Sequence, residues 1–151
     1  MPREMRRVGL FQAGYYAATG LWPLIHMPSF ELIAGRKREH WLVNTVGVCV
    51  TAIGAGLGLA SARGELTPSM RALAALACLG LAGIDIRYAV GGRIRRVYLA
   101  DAAVEVALAL IWAASLAREH DPHRRRAEEP GNERDREREL GRDRVEAAAD
   151  R

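Results

Sequence analysis

Residues 41–62 and 70–84 are apolar around almost the whole circumference of any helix they form, with only Asn44, Thr45, Thr51 and Ser61 as polar members of the first run, and Ser69 just ahead of the second and Arg71 at its start. A helix on the surface of a soluble protein shows an apolar stripe and a charged back. These runs have no such back, so a soluble helical bundle is the weaker reading. At about 1.5 Å rise per residue, about 20 residues match a hydrocarbon core about 30 Å thick. The chain is therefore expected to fold in a bilayer.

The composition of the whole chain hides this. Mean hydropathy is −0.07, which suggests one small soluble domain. Cutting the 151 residues after Ala117 separates two different polymers: the last 34 residues hold 10 arginines and 11 acids, while the first 117 hold 12 basic and 7 acidic residues, a net of +5. With only Cys49 and Cys78 the chain is no disulfide scaffold, and it has neither collagen-like nor repeat periodicity.

Four spans are expected, at about 8–25, 41–62, 70–90 and 97–117. The first is the least apolar, since Gln12, Tyr15, Tyr16 and Pro23 interrupt it; the third is broken late by Asp85 and Arg87, the fourth by Asp101, Glu105 and Ser115. A basic lead before an apolar run also fits a cleaved signal peptide. Trp22-Pro23 reads better as the end of a span at the membrane surface, and no small-x-small cleavage site follows at a convincing distance. In the first link Ser29 is expected to cap a short turn along the surface and Gly35 to end it. Gly64 with Pro68, and the Gly91-Gly92 pair, mark links short enough to force antiparallel neighbours. Trp22, Trp41, Tyr88 and Tyr98 sit where amphipathic rings favour the headgroup level.

Lys and Arg number 3, 2 and 4 at the N-terminus, second link and proximal tail, against 3 and 4 in the first and third links. Nine against seven favours cytoplasmic termini in an inner, cytoplasmic membrane.

The segments TGLWPLIHMPSFE (19–31), WLVNTVG (41–47), IDIRY (84–88) and VYLADAAVE (97–105) resemble a group of small four-span bacterial integral membrane proteins with no assigned activity. The resemblance covers about residues 6–117. It implies the four-span architecture and adds no chemistry; the strong bias of 21 Arg to 1 Lys suits a GC-rich bacterial genome. Small multidrug exporters are similar in size but carry a carboxylate in mid-first span, which this chain lacks. The charge pattern of membrane glutathione-transferase-like proteins is likewise not matched.

The candidate chemistry lies in the acids flanking the third link. Asp85 is eight residues before Arg93 and Asp101 eight after, so a hairpin sets them at similar depth; Glu105 is one helical turn deeper on the face of Asp101. Leu108 and Trp112 continue that stripe. A charge within a span costs about 2.5–3.5 kcal/mol on insertion scales and normally faces the bundle with a partner. Asp85, Asp101 and Glu105 are thus a candidate proton or cation relay. The plainer alternative pairs Asp85 and Asp101 with Arg87, Arg93, Arg95 and Arg96.

Gly47, Thr51, Gly54 and Gly58, at offsets 0, 4, 7 and 11, form a candidate helix-packing groove, for another span of the chain or for a homodimer. His26, Glu31 and His40 lack metal-ligand spacing, and Cys49 and Cys78 are read as inert packing thiols. The 118–151 tail alternates charge, nets −1, and is expected to be a disordered polyampholyte. It lacks the unbalanced positive charge that nucleic acid demands, although Arg124, Arg125 and Arg126 can touch anionic lipid.

The sequence thus specifies an all-α, polytopic membrane protein whose partner is the bilayer, with a homodimer or a second membrane protein as possible company. It shows no catalytic constellation, cofactor motif or metal site. A structural or accessory component is the first expectation, and a small proton- or cation-coupled transporter the alternative.

Overall fold

The computed structural model describes residues 3–119. Among them the fold is all helical: α1 (Arg3–Ala34), α2 (His40–Arg63), α3 (Pro68–Val90) and α4 (Val97–Glu119). The described residues up to Leu116 form one compact unit; the expected disorder of the 118–151 tail falls on residues that, beyond Glu119, lie outside the described ones. α2, α3 and α4 are long and apolar enough to cross a membrane, and α1 does not reach that standard. The expected first span therefore differs from the other three.

Each helix ends where local chemistry dictates. Gly64 closes α2 in the left-handed conformation, with φ of 75°, which costs a residue without a Cβ little. Thr67 opens α3 by accepting the Met70 N–H at 3.2 Å, and Pro68 takes the first helical position, where its missing N–H is no loss. In the third link Gly92 has φ of 68°, and the Arg93 N–H bonds the Tyr88 carbonyl at 2.9 Å.

α1 is longer than its expected span because the helix resumes after one non-helical residue, His26. The expected cap moves with it. The His26 Nδ1 accepts the Ser29 N–H at 3.2 Å, while the Ser29 hydroxyl donates to the His26 carbonyl at 3.0 Å and accepts the Trp22 indole N–H at 2.8 Å. His26, not Ser29, thus occupies the capping position of the short second segment. Gly35, with φ of 85°, ends it as expected.

α1 and α2 pack backbone to backbone through small residues. A Cβ on Gly47 would stand 2.6 Å from the Gly20 carbonyl oxygen, one on Gly54 would stand 2.8 Å from the Tyr16 Cβ, and one on Gly58 would stand 3.1 Å from the Ala13 Cβ. The groove Gly47, Thr51, Gly54, Gly58 is thus filled by α1. Larger side chains fill the rest of the bundle. Leu57, Leu66, Ala74, Ala75 and Trp112 form one core cluster; Tyr16, Cys78, Leu108 and Ala109 form another.

α1 is turned inside out relative to a soluble helix. Gln12, Tyr16 and Gly20 are buried, while Leu10, Phe11, Leu21, Leu24 and Ile25 face outward. Its low hydropathy reflects side chains that face protein.

Candidate functional site

The buried face of α4 carries Ala102, Glu105, Leu108, Ala109, Trp112 and Ser115, at spacings of three and four residues. Asp101 stands at its edge, half-buried. From Asp101 to Ser115 this face runs about 21 Å along the helix. Opposite it, α1 offers Gln12, Tyr15 and Tyr16, which share a helix face by the same spacing.

These two faces meet through hydrogen bonds. The Tyr15 hydroxyl donates to Asp101 Oδ1. The Tyr16 hydroxyl donates to Glu105 Oε2 at 3.0 Å and lies 3.5 Å from the Cys78 Sγ. Deeper in, the Trp112 indole donates to Gln12 Oε1 at 2.6 Å, and the Gln12 amide donates to the Cys78 Sγ at 3.1 Å and the Ala74 carbonyl at 3.4 Å. Glu105 is only 1% exposed. An apolar surrounding makes an unbonded carboxyl costly, and the phenol of Tyr16 relieves that cost.

α3 supplies the third acid. Asp85 is buried beside Asp101, with their carboxyls within interacting range. The structure therefore brings Asp85, Asp101 and Glu105 together. The arginines that offered the plainer reading do not reach them: among the described residues Arg87, Arg93, Arg95 and Arg96 form no ion pair, and Glu31–His40 is the pair present there. Arg95 instead donates to the carbonyls of Leu32 at 2.7 Å and Ile33 at 3.4 Å, tying the third link to the end of α1. The Lys37 ammonium sits 4.7 Å from the Tyr98 ring centroid, a cation–π contact.

The first link has its own bonding. Glu31 Oε1 accepts the Lys37 N–H at 2.8 Å and bonds the His40 Nε2 at 2.9 Å. These two donors, the backbone N–H foremost, hold the Glu31 carboxyl below its usual range. His26 is engaged with Ser29, so the three residues do not converge. Cys49 is exposed on the outer face of α2, and Cys78 is buried among hydrogen-bond donors.

Tyr15, Tyr16 and Gln12 were visible in the sequence only as interruptions of an apolar run. Their spacing of 12, 15 and 16 was the available signal. Polar residues three and four apart within an otherwise apolar helix mark a face that meets other polar groups.

No protein-family model, curated protein or solved structure matches the chain.

Proposed function

We propose that the chain is a non-enzymatic, multi-pass membrane protein in which all four helices cross the bilayer and Glu105 is the proton-binding carboxyl of a small proton-coupled carrier. The observation that carries this reading is the surrounding of Glu105. A carboxyl 1% exposed, deep in an apolar bundle, has a phenol and a thiol for partners and, among the described residues, no basic side chain in an ion pair with it. Intramembrane acids of this kind bind or pass protons.

The arrangement supplies entry from one face. Asp85 and Asp101 lie nearest the third link, and Glu105 is one turn further in, about 6 Å along the axis. Beyond Glu105 stand Gln12 and Trp112. An indole N–H can only donate, and a carboxamide is neutral at any physiological pH, so the run of carboxyls stops there, and the next buried polar group on that face is the Ser115 hydroxyl. Such a one-sided path suits a carrier, which exposes its carboxyl to each face in turn, rather than a pore. The outward apolar side chains of α1 support its crossing with the others. The count of nine Lys and Arg against seven supports cytoplasmic termini in an inner membrane.

A second reading has its own observation. Every side-chain bond in this network that starts on α1 ends on α3 or α4, so the same groups anchor the least apolar helix to the bundle. That would make the protein a structural or accessory component.

Reconstitution separates the two. Proteoliposomes holding a pH-sensitive dye are given an outward-to-inward pH gradient, and carboxyl protonation is followed in parallel by infrared difference spectroscopy. The carrier reading expects proton uptake and a carboxyl signal that Glu105→Gln and Asp101→Asn remove while the thermal midpoint is kept. If the wild type moves no protons and the variants only lose stability, the anchoring role stands alone.

A further inference from the structure

The third link is both the most basic part of the described chain and a hollow one. Arg93, Arg95 and Arg96 follow the Gly91-Gly92 turn, and the first link brings Arg36, Lys37 and Arg38 to the same end of the bundle, where Arg95 and Lys37 bridge the two links. Glu31 and Glu39 are turned to His40 and to the Trp41 indole N–H at 2.8 Å. Among the described residues Arg93 and Arg96 therefore form no ion pair with a carboxylate. Beneath the link lies a hollow of about 520 Å³ lined by Val90, Gly92, Ile94, Arg95, Arg96 and Leu99, among others. Its wall changes character along its length. Arg95 and Arg96 stand at the link, while Val90, 75% exposed, and Leu99, 37% exposed, continue down the outer faces of α3 and α4.

We propose that this hollow binds the headgroup of an anionic phospholipid, with the phosphate on Arg96 and the neighbouring guanidinium groups and an acyl chain along Val90 and Leu99. Two features fit a lipid and not a dissolved anion. The cationic rim is continuous with apolar surface that lies in the hydrocarbon region, and the guanidinium fork matches a phosphodiester's paired oxygens. Basic pockets between spanning helices recognise anionic headgroups in this way, each Lys or Arg near the surface contributing about 1 kcal/mol, or about fivefold in affinity. Arg95 already holds the end of α1, which leaves Arg93 and Arg96 as the groups a lipid can claim. The inference is independent of whether Glu105 exchanges protons.

The test uses the full chain in neutral detergent, titrated with phosphatidylglycerol, phosphatidylcholine or inorganic phosphate and read by native mass spectrometry, with thermal midpoints measured alongside. Phosphatidylglycerol should bind at least tenfold more tightly than phosphatidylcholine. In Arg93→Gln/Arg96→Gln this preference should fall to less than threefold with the lipid-free midpoint unchanged, whereas Arg96→Lys, which keeps the charge, should lose only part of it. Equal binding of the two lipids, a preference that survives the double substitution, or displacement of the lipid by millimolar phosphate would overturn the proposal. Should the double variant not fold, Leu99→Asn serves in its place: it leaves every cation intact and must weaken both lipids by shortening the apolar wall.

Discussion

The contact of α1 with α2 makes a prediction whose sign depends on one atom. Alanine for glycine within a helix is worth about 1 kcal/mol in favour of the helix when nothing is in the way. At Gly47 something is: the new Cβ would lie 2.6 Å from the Gly20 carbonyl oxygen. Relief to ordinary contact near 3.5 Å requires the helices to part by about 0.9 Å, and a gap of that size forfeits about a quarter to a half of the dispersion energy along the seam. Overpacking of a close-packed core costs about 1–3 kcal/mol. After the helix gain of about 1 kcal/mol is subtracted, Gly47→Ala should destabilise by up to about 2 kcal/mol. Gly80 and Gly83 on α3 are the internal controls, because a Cβ at either meets nothing within 4 Å. Gly80→Ala should be neutral or stabilising by up to about 1 kcal/mol. Reversible unfolding of the full chain in mixed micelles, followed by tryptophan fluorescence, reads all three. Gly20→Ala combined with Gly47→Ala should cost less than the sum, since helices already parted by one methyl admit the second more cheaply. Identical unfolding midpoints for Gly47→Ala and Gly80→Ala would refute the seam, and with it the placement of α1 in the groove.

Other expectations follow from the hydrogen bonds. Tyr16→Phe leaves Glu105 without its hydroxyl donor and should lower stability by about 1–3 kcal/mol; Glu105→Gln, an isostere that can still accept from Tyr16, should cost less in the same unfolding assay. Trp112→Phe removes the indole donor to Gln12 and should cost less than Trp112→Ala, which adds a cavity to a fully buried site and should cost about 3–5 kcal/mol. The Glu31 carboxyl is held below its ordinary value of 4.5. Its contribution is therefore present above that value and lost as pH falls through the lowered one. Tryptophan fluorescence of Trp41 between pH 6 and pH 3 should show this local transition, and Glu31→Gln should abolish it without moving the rest of the profile.

The sequence revealed the three apolar helices because a helix surrounded by lipid must be apolar on its outer faces, and residues 41–62, 70–84 and 97–117 satisfy that almost throughout. Link positions were legible for a local reason, since Gly35, Gly64 and Gly92 adopt backbone conformations that favour glycine. The capping role of His26 was not, because a helix that resumes after a single non-helical residue leaves no composition change behind. The acids were found by symmetry about Arg93, yet their partners were misjudged. Sequence proximity pointed to Arg87, Arg93, Arg95 and Arg96, whereas the bonds come from Tyr15 and Tyr16, 86 and 89 residues away from their acceptors. No local rule supplies such a pairing.

The low hydropathy of α1 and the content of the core have one cause. A bundle that buries carboxyls must present donors to them, and those donors must come from a neighbouring helix, since residues one turn away on α4 are occupied by packing side chains such as Ala109 and Leu108. Whichever helix supplies them reads as less apolar than its surroundings. α1 can carry that load because Gly9, Ala13, Gly20 and their counterparts on α2 hold it by backbone approach, an attraction that small residues provide without relying on hydrophobicity. The small-residue seam of α1 and the phenol and amide groups beside it are therefore interdependent, since the Tyr16 Cβ itself lies in the seam against Gly54. Loosening the seam at Gly47 should disturb the bond to Glu105 from Tyr16, whose Cβ stands in that seam, so a Gly47→Ala protein whose Glu105 carboxyl band in the infrared is unshifted would show that the seam and the bond act separately.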